Sequence, residues 1–306
     1  MPRIVGAGNL TLDRIARVSS IPQTNESAVI IEEVTTPGGS TANVVACLQS
    51  LGYDTGLIAR MGDDHSSQNI LDEVESKGVD CSQIQISDDE ETTFTNIYID
   101  GDGNQILIAG GDSAIHLTLE EDDLDYCSSA DFFHTSGYAT SNVFDNIERL
   151  DTEIEHISFD LAASFDELPL RGYSREQIKK KSHLIDLFVA QESDLLSYKQ
   201  LSDTKHAVNE LLDDGVKLAA VTKGSDGAIL ATSNRWVTIP SFDVDIKDTT
   251  GAGDAFTAGL IHARAIESKS LRESGQFANA MAALNCCSMG GQHDIPTIQD
   301  VRNLLK

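Results

Sequence analysis

Apolar strands that alternate with amphipathic helices constrain the fold of this chain more than any other feature. An apolar run at 3–8 ends in glycine and precedes a helical pattern at 41–51, and a second strand and helix follow at 55–60 and 66–77. The second half predicts strands near 131–134, 156–160, 185–190 and 217–222, a Gly-rich meander at 224–239, and helices at about 253–268, 271–288 and 297–305. Because parallel strands need crossover connections, this alternation predicts an α/β fold with a mostly parallel sheet covered on both faces.

Two further segments have the pattern of a separate, smaller sheet. Residues 92–109 alternate between apolar and polar side chains around an acidic, Gly-rich turn at 100–103, which is typical of a β-hairpin. Residues 28–36 are rich in β-branched side chains. We therefore expect these segments to form a small sheet beside the main layers.

The charge of the chain excludes one class of partner. The 306 residues include 49 Asp and Glu against 22 Lys and Arg, a formal net charge of −27. A surface that binds nucleic acid needs clustered cations, so we expect no nucleic-acid partner. Repulsion among the acidic groups destabilises such a chain at low salt, and counterions relieve it. The excess of acidic residues predicts a protein from a salt-rich cytoplasm, with an acidic mesophilic protein as the alternative.

The sequence gives no sign of export, of a membrane partner or of a cysteine-based scaffold. No stretch approaches the ~18 apolar residues that span a bilayer, and the N-terminus lacks a secretory apolar region. We therefore expect a cytoplasmic location. The five cysteines show no C-x-x-C spacing, so neither a disulfide framework nor a zinc site is expected; they are Cys47, Cys81, Cys127, Cys286 and Cys287.

The strongest chemical signal is a glycine-rich turn before a long predicted helix. The segment 248–259 reads DTTGAGDAFTAG, in which Gly251, Ala252 and Gly253 allow a ligand close to the backbone. Amides at a helix N-terminus form an anion site, and Asp254 lies in the first turn. An aspartate after a Gly-rich loop is also a common helix cap. However, an anion site beside a carboxylate is what phosphoryl transfer to an alcohol requires.

Three other segments have weaker signals. PGGSTAN at 37–43 places a double glycine before a helix, and VTKGSDGA at 221–228 ends a strand in a G-x-x-G turn. The strand and G-x-G turn at 4–9 suggest a dinucleotide site, but Thr11 stands where the third glycine is needed. No G-x-x-x-x-G-K-[ST] segment occurs, which excludes a P-loop.

In combination these segments resemble the ribokinase-like (phosphofructokinase B-type) carbohydrate and nucleoside kinases. The similarity covers nearly the whole chain, and among these kinases the sequence most resembles archaeal sugar and nucleoside kinases. The similar segments are 8–13, 37–52, 62–80, 221–228 and 248–260. It implies a three-layer α/β/α core with a small β-sheet lid. The core would comprise 1–12, 37–90 and 116–306, and the lid 13–36 and 91–115.

The resemblance also implies roles for individual residues on the acceptor side. Asp254 would be the catalytic base, beside an anion hole formed by the amides of Gly251, Ala252 and Gly253. The acceptor would be bound by Thr11, Asp13, Gly38, Gly39 and Asn43.

The same resemblance implies an ATP site and two cation sites. ATP would be bound by Thr222, Lys223, Gly224, Gly227, Asn279 and Gln191. Asp194 would hold Mg²⁺ through water. Asp248 and Thr250 match positions that bind a monovalent cation such as K⁺ in those family members that use one.

Some positions depart from the family pattern. Where the family usually has N-x-x-E, this chain has Gln191-Glu-Ser-Asp194. The replacement keeps a hydrogen-bond acceptor and an acid but alters the expected Mg²⁺ site. The turn at 62–67 ends in Ser67 instead of glycine. Ribokinase itself carries Asn and Lys where this chain has Thr11 and Ser40, which weakens ribose as the acceptor.

The sequence thus predicts an ATP- and Mg²⁺-dependent kinase that phosphorylates a hydroxyl, expected to be primary, of a sugar or nucleoside. Two alternatives stay open: a relative that binds nucleotide or sugar without turnover, and a dinucleotide-dependent oxidoreductase. The expected partners are a small-molecule substrate and a second copy of the chain, paired through the lid.

Overall fold

A computed structural model describes residues 3–306 and arranges them in two sheets with helices. In chain order the strands are β1 (Arg3–Ala7), β2 (Thr11–Val18), β3 (Ile30–Gly38), β4 (Asp54–Gly62), β5 (Asp80–Ser87), β6 (Phe94–Ile99), β7 (Gln105–Gly110), β8 (Phe132–Ser136), β9 (His156–Asp160), β10 (Leu187–Gln191), β11 (Leu218–Thr222), β12 (Ala228–Thr232) and β13 (Arg235–Ile239).

The α-helices are α1 (Ser40–Ser50), α2 (His65–Ser76), α3 (Glu121–Ser128), α4 (Ser141–Asp145), α5 (Ile147–Leu150), α6 (Arg175–Lys181), α7 (Glu192–Lys199), α8 (Thr204–Asp213), α9 (Ala252–Leu260), α10 (Leu271–Asn285) and α11 (Ile298–Leu304). A π-helical stretch, Ile261–Ile266, continues α9, and short 3₁₀ helices lie at Ser113–His116, Leu168–Arg171, Ser182–Leu184 and Gly224–Asp226. None of the helices within residues 3–306 is long and apolar enough to cross a membrane.

The large sheet has the strand order β13-β12-β11-β10-β9-β8-β1-β4-β5. Its strands are parallel from β5 to β11, and β12 and β13 add an antiparallel edge. One face packs on a core around Phe133, Phe159 and Phe188, and the other on a core that contains Leu48 and Phe256. The predicted three-layer α/β/α core with a mostly parallel sheet is confirmed.

The smaller sheet has the order β3-β2-β6-β7 and is separate from the large one. It contains the predicted hairpin at 92–109 and the β-prone segment at 28–36. It also contains β2, which the sequence reasoning did not predict, and β2 begins at Thr11 while β3 ends at Gly38. The chain therefore passes from β1 into another strand and not into a helix, so residues 4–11 do not form the βαβ turn of a dinucleotide site.

Both helices that face the junction of the two sheets begin at a glycine with positive φ. Gly39 precedes α1 with φ 97°, and a Cβ there would lie 2.5 Å from the carbonyl oxygen of Asn9. Gly251 precedes α9 with φ 78°, and its Cβ would lie 2.6 Å from the Cα of Gly291. Because the left-handed conformation and the close approach both favour glycine, these residues fix where the two helices start.

Candidate active site

The side chain of Asp254 lies between the first turns of α9 and α1. The Oγ of Ser40 donates to Oδ1 of Asp254 at 2.7 Å, and Nδ2 of Asn43 donates to Oδ2 at 2.7 Å. Burial raises the pKa of Asp254, and these two hydrogen bonds oppose that rise. Both carboxylate oxygens are therefore fixed in orientation.

A buried glutamine orients Asn43. The Nε2 of Gln292 donates to Oδ1 of Asn43 at 3.0 Å, so the amide of Asn43 must turn Nδ2 toward Asp254. Gln292 has no solvent exposure. The sequence analysis gave neither Gln292 nor Ser40 a role at the site. Their roles depend on contacts with Asn43 and Asp254, which are far away in the sequence.

The N-terminus of α9 is open where the anion hole is expected. A Cβ at Gly253 would meet no atom within 4 Å, and the residue is exposed. The amide of Ala252 donates to the Thr249 carbonyl at 3.2 Å, whereas those of Gly251 and Gly253 donate to no acceptor within residues 3–306. Two of the three expected amides are therefore available to an anion.

The residues expected to bind the acceptor lie together at the junction of β2, β3 and α1. Asp13 is buried, and its Oδ1 accepts from the Oγ1 of Thr11 at 2.9 Å. Burial, together with the carboxylates of Asp254 and Asp248, raises the pKa of Asp13 to about 7. Thr11 pairs with Gly38, where a Cβ would lie 2.1 Å from Oδ2 of Asp13. Only glycine at this position leaves space for the carboxyl group.

The buried carboxylate of Asp248 organises the approach to α9. Its Oδ1 accepts from the amide and the hydroxyl of Thr250 at 2.9 and 2.8 Å, and its Oδ2 accepts from the amide of Gly290 at 2.8 Å. Gln105, at the start of β7 in the small sheet, lies with Nε2 3.3 Å from Oδ1 of Asp248 and 3.3 Å from Oγ1 of Thr249. Asp248 therefore connects the small sheet to the turn before α9.

Most of the residues expected to bind ATP lie at or just after the ends of β10 and β11, whereas Gly227 directly precedes β12 and Asn279 lies on α10. Thr222 pairs with Gln191 in the sheet, and Gly227 has φ 86° with no room for a Cβ beneath the Ile239 carbonyl. Gly224 is exposed, and a Cβ there would meet no atom within 4 Å. These strand ends lie at the carboxyl edge of the sheet, where open α/β folds bind ligands.

Two of the residues in this group are already engaged. The Nζ of Lys223 forms an ion pair with Oε1 of Glu192 at 3.2 Å. The Nδ2 of Asn279 donates to the Pro240 carbonyl at 2.8 Å, which holds the segment after β13. Both side chains therefore lie where the resemblance places the ATP site, but each already has a partner within the protein.

The chemistry of Asp194 fits a water-mediated Mg²⁺ contact. Asp194 is partly exposed in the first turn of α7, and burial raises its pKa. No group of three or more His, Cys, Asp or Glu side chains within residues 3–306 could hold a metal by itself. Mg²⁺ commonly binds to one or two carboxylates, waters and substrate phosphates, and such a site needs no protein cage.

A buried aspartate at the end of β9 was missed by the sequence reasoning. Oδ2 of Asp160 accepts from the Oγ1 of Thr257 on α9 at 2.9 Å, and Oδ1 accepts from the Ala162 amide at 3.0 Å. Burial first, and then the carboxylates of Asp254 and Asp194, raise the pKa of Asp160 to about 7. Asp160 therefore anchors α9, the helix that carries Asp254, to the sheet.

Comparison with known proteins assigns the family. The sequence model of the pfkB family carbohydrate kinases matches residues 1–298. An ATP-dependent ribose-1-phosphate kinase of Halopiger xanaduensis is 31% identical, with 100% of this chain and 98% of the relative covered. A ribokinase of Bacillus subtilis is 26% identical, with 100% of both chains covered.

Solved structures agree on the fold. A putative ribokinase II of E. coli superimposes with a TM-score of 0.88 at 22% identity and covers 100% of this chain and 99% of its own. A nucleoside kinase of Methanocaldococcus jannaschii gives a TM-score of 0.81 at 23% identity, with 100% and 98% covered. The chain belongs to the pfkB family of carbohydrate kinases. It is a phosphotransferase that acts on a hydroxyl of a sugar or nucleoside.

The buried carboxyl of Asp160 generates a prediction about pH and stability. Its native pKa of about 7 lies above the ordinary value of 3.8, so the native state holds a proton that the unfolded chain has lost, and stability falls as the pH rises through this range. Asp160→Asn removes this dependence. Its Oδ1 still accepts from the Ala162 amide, and its Nδ2 donates to Oγ1 of Thr257, which reverses the direction of that hydrogen bond. The free energy of unfolding of the variant relative to the parent is expected to rise by about 1–2 kcal/mol between about pH 5.5 and about pH 8.

Urea unfolding followed by circular dichroism at both pH values measures this difference. The exposed Asp88→Asn is the matched control, since it removes the same charge from the surface. A difference between Asp160→Asn and the parent that stays constant with pH would contradict the prediction.

Proposed function

We propose that the protein transfers the γ-phosphoryl group of ATP to a primary hydroxyl of a sugar or nucleoside, with Asp254 as the base. One observation carries this proposal: the carboxylate of Asp254 is held by Ser40 and Asn43 beside the open N-terminus of α9. A base and an anion site thus face the same space, which is the arrangement that phosphoryl transfer to an alcohol requires.

The proposed reaction assigns one step to each part of the site. Asp13 and Asn43 orient the acceptor, and Asp254 accepts the proton of its hydroxyl. The acceptor oxygen forms a bond to the γ-phosphorus as the bond to the β–γ bridging oxygen breaks, and ADP leaves with the electron pair. The amides of Gly251 and Gly253 stabilise the charge on the transferring group. Ala252 supplies the helical geometry, since its own amide is engaged.

ATP and Mg²⁺ fit the residues at the nucleotide end. The space beside Gly224 and Gly253, where no side chain stands, suits phosphate oxygens near backbone amides. We assign the ATP contacts to Thr222, Lys223, Gly224, Gly227, Asn279 and Gln191. Asp194 would hold Mg²⁺ through water, and the ion would neutralise charge on the phosphates.

The alternative of a relative that binds without turnover has less support. The two hydrogen bonds to Asp254 hold its carboxylate in one orientation, although burial raises the pKa of the group. A site that only bound ligands would not need a carboxylate directed at the anion hole. One feature favours this alternative: Gln191 and Asp194 stand where the family usually has Asn and Glu.

Removing the base tests the proposal directly. Asp254→Asn keeps the shape of the side chain but cannot accept a proton, so turnover is expected to fall by about 10²–10⁴-fold. The measurement is ADP release from ATP and Mg²⁺ with a panel of nucleosides, pentoses, hexoses and sugar phosphates, including ribose 1-phosphate, the substrate in the name of one relative. The control is Asp245→Asn in the exposed loop before α9. Near-normal turnover in Asp254→Asn would refute the assignment of the base.

We also propose that the protein works in a salt-rich cytoplasm. The net charge of −27 lies on a surface where doublets such as Asp88-Asp89 and Glu121-Asp122 are exposed, so counterions relieve repulsion in the folded state. ATP as a substrate and five free cysteines also support the cytoplasm. Asp248 and Thr250 are proposed to serve a K⁺ ion near the anion hole.

Salt experiments separate these two effects. The midpoint of thermal unfolding is expected to rise from about 0.1 M to molar salt, similarly in KCl and NaCl, because screening depends on ionic strength. A bound K⁺ instead predicts that turnover at equal ionic strength is higher in KCl than in NaCl. A midpoint of unfolding that does not change with salt would contradict the proposal of a salt-rich cytoplasm. Equal turnover in KCl and NaCl would contradict the proposal of a K⁺ site.

We further propose that 13–36 and 91–115 act as a lid over the acceptor and that two copies of the chain pair through it. The edge strands of the small sheet expose apolar side chains: Ile30 and Ile31 on β3, and Leu107 and Ile108 on β7, are between 49% and 66% exposed. An unpaired edge with exposed apolar residues is suited to pairing with another strand or sheet.

The pairing is tested with Leu107→Glu. A charge in the centre of β7 is expected to shift the protein from dimer to monomer in light scattering after size exclusion. The control is Ile246→Glu, which places the same charge at a residue that is 59% exposed in the loop before α9. A parent protein that is monomeric at high concentration would refute the proposal.

A further inference from the structure

A chain of hydrogen bonds leads from the buried side chain of Gln292 to the proposed base. The Nε2 of Gln292 donates to Oδ1 of Asn43 at 3.0 Å, and Nδ2 of Asn43 donates to Oδ2 of Asp254 at 2.7 Å. Within residues 3–306 Gln292 and Asp254 share no hydrogen bond, so the amide of Asn43 is the link between them.

The chemistry of these groups permits only one direction for the chain. An ionised carboxylate accepts hydrogen bonds and donates none, so Asn43 must present its NH₂ group to Asp254. The carbonyl oxygen of Asn43 then faces Gln292, which must present its own NH₂ group in turn. A rotated Asn43 amide would place Oδ1 against the carboxylate, where two acceptors repel each other.

The other end of the Gln292 amide indicates that the donor is what the site requires. Its Oε1 is buried and has no hydrogen-bond partner within residues 3–306. A buried acceptor without a partner destabilises the folded state, and an apolar side chain of the same length would avoid that cost. Packing alone therefore does not account for a glutamine at this position, whereas the hydrogen bond from Nε2 to Asn43 does.

The backbone that carries Gln292 is held in place. The amide of Gly290 donates to Oδ2 of Asp248 at 2.8 Å. A Cβ on Gly291 would lie 2.6 Å from Nδ2 of Asn43, so the glycine lets the backbone pack directly against that amide. Gln292 therefore reaches Asn43 from a fixed segment.

Asn43 needs this support because the proposed reaction gives it two partners. It holds Asp254, and it is also assigned to the acceptor, whose hydroxyls both donate and accept hydrogen bonds. An acceptor hydroxyl that competes for the amide would turn Nδ2 away from the base unless Oδ1 is held elsewhere. Gln292 supplies that second point of attachment.

We propose that Gln292 is a positioning residue for phosphoryl transfer: its hydrogen bond to Asn43 keeps Nδ2 of Asn43 on the carboxylate of Asp254 while the acceptor binds. The inference rests on the proposed function and adds to it a residue that acts through Asn43. The proton transfer itself stays with Asp254.

Several titratable groups surround the base and stay the same in all the variants described below. Burial raises the pKa of Asp254, and the hydrogen bonds from Asn43 and then Ser40 oppose the rise. Burial also raises the pKa values of four neighbours, and the Asp254 carboxylate adds to each rise: Asp13 on β2, Asp160 on β9, Cys47 on α1 and Tyr138 after β8. A change in the pH profile of a Gln292 variant therefore reports the hydrogen bond from Asn43.

Two variants of Gln292 have opposite expected pH dependence. Gln292→Met keeps the length of the side chain but has no donor, so Asn43 is free to turn and the pKa of Asp254 rises. Gln292→Glu donates to Asn43 only while the introduced carboxyl is protonated. Once ionised, this carboxyl accepts from Nδ2 of Asn43 and turns Oδ1 toward Asp254. Burial and the charge of Asp254 raise its pKa above the ordinary value of about 4.3, into the range where activity is measured.

The chain offers a matched control at Gln299. This glutamine is exposed on α11 and also donates to an asparagine, Asn303, at 2.9 Å. Gln299→Met and Gln299→Glu therefore make the same chemical changes to a Gln–Asn pair on the surface. Both are expected to keep the kcat/KM of the parent at every pH.

The measurement is kcat and KM between about pH 5.5 and about pH 9, with the acceptor that the parent turns over best. Relative to the parent, Gln292→Met is expected to lose roughly 10- to 100-fold in kcat/KM at the acidic end and to regain part of it as the pH rises. Gln292→Glu is expected to match the parent at the acidic end and to fall by a similar factor as the pH rises. KM for ATP stays unchanged. A ratio to the parent that is independent of pH, or that changes in the same direction for both variants, would overturn the proposal.

A double-mutant cycle of Gln292→Met and Asp254→Asn tests the chain without turnover. Urea unfolding followed by circular dichroism gives the free energies of unfolding of the parent, the two single variants and the double variant, and it also shows that each is folded. The two effects are expected to be non-additive, since both substitutions act on Asn43. Additive effects would overturn the proposal.

The outcomes separate this inference from the proposed function. Parent turnover that is lost in Asp254→Asn, together with Gln292 variants that match the parent at every pH, would refute the role of Gln292 and leave the kinase reaction standing. Absence of turnover with every acceptor, together with non-additive free energies of unfolding, would refute the kinase reaction and support the hydrogen-bond chain.

Discussion

Two hydrogen bonds to one carboxylate hold the N-termini of α1 and α9 together, and the geometry of the proposed active site depends on them. Helix N-termini carry partial positive charge, so two that point at the same space repel each other unless an anion lies between them. Asp254 supplies that anion, with Ser40 and Asn43 as donors. The residue that we propose as the base is thus also the residue that joins α1 to α9.

Other carboxyl groups in the cleft follow a common pattern. Asp13, Asp160 and Asp248 are almost fully buried, and each accepts a hydrogen bond from a threonine hydroxyl: Thr11, Thr257 and Thr250 respectively. Burial of a charge is unfavourable unless hydrogen bonds compensate for the lost water. For Asp13 and Asp160 the compensation is incomplete, and their pKa values rise to about 7. The site therefore keeps polar groups ready for a ligand at some expense of stability.

Local sequence signals predicted most of the helices and strands of the large sheet. Strands with an unusual pattern of burial were not predicted. Gly39 and Gly251 predicted where two helices start, and apolar runs predicted the parallel strands. β2 was missed because Thr11–Val18 is buried on both faces for most of its length and so lacks alternation. β5 was also not predicted, because it is an edge strand with polar residues such as Gln83 and Gln85. Asp160 and Gln292 at the site depend on partners 97 and 249 residues away, which no local pattern reveals.

The hairpin of β2 and β3 leaves and re-enters the core at neighbouring points. Its first pair is Thr11 with Gly38, and the pairing continues outward to Val18 and Ile30. Only the innermost pairs, which include Asp13 with Thr36, belong to the acceptor junction. The outer part of the hairpin can therefore change in sequence and length while the hydrogen bonds that join α1 to Asp254 on α9 stay intact.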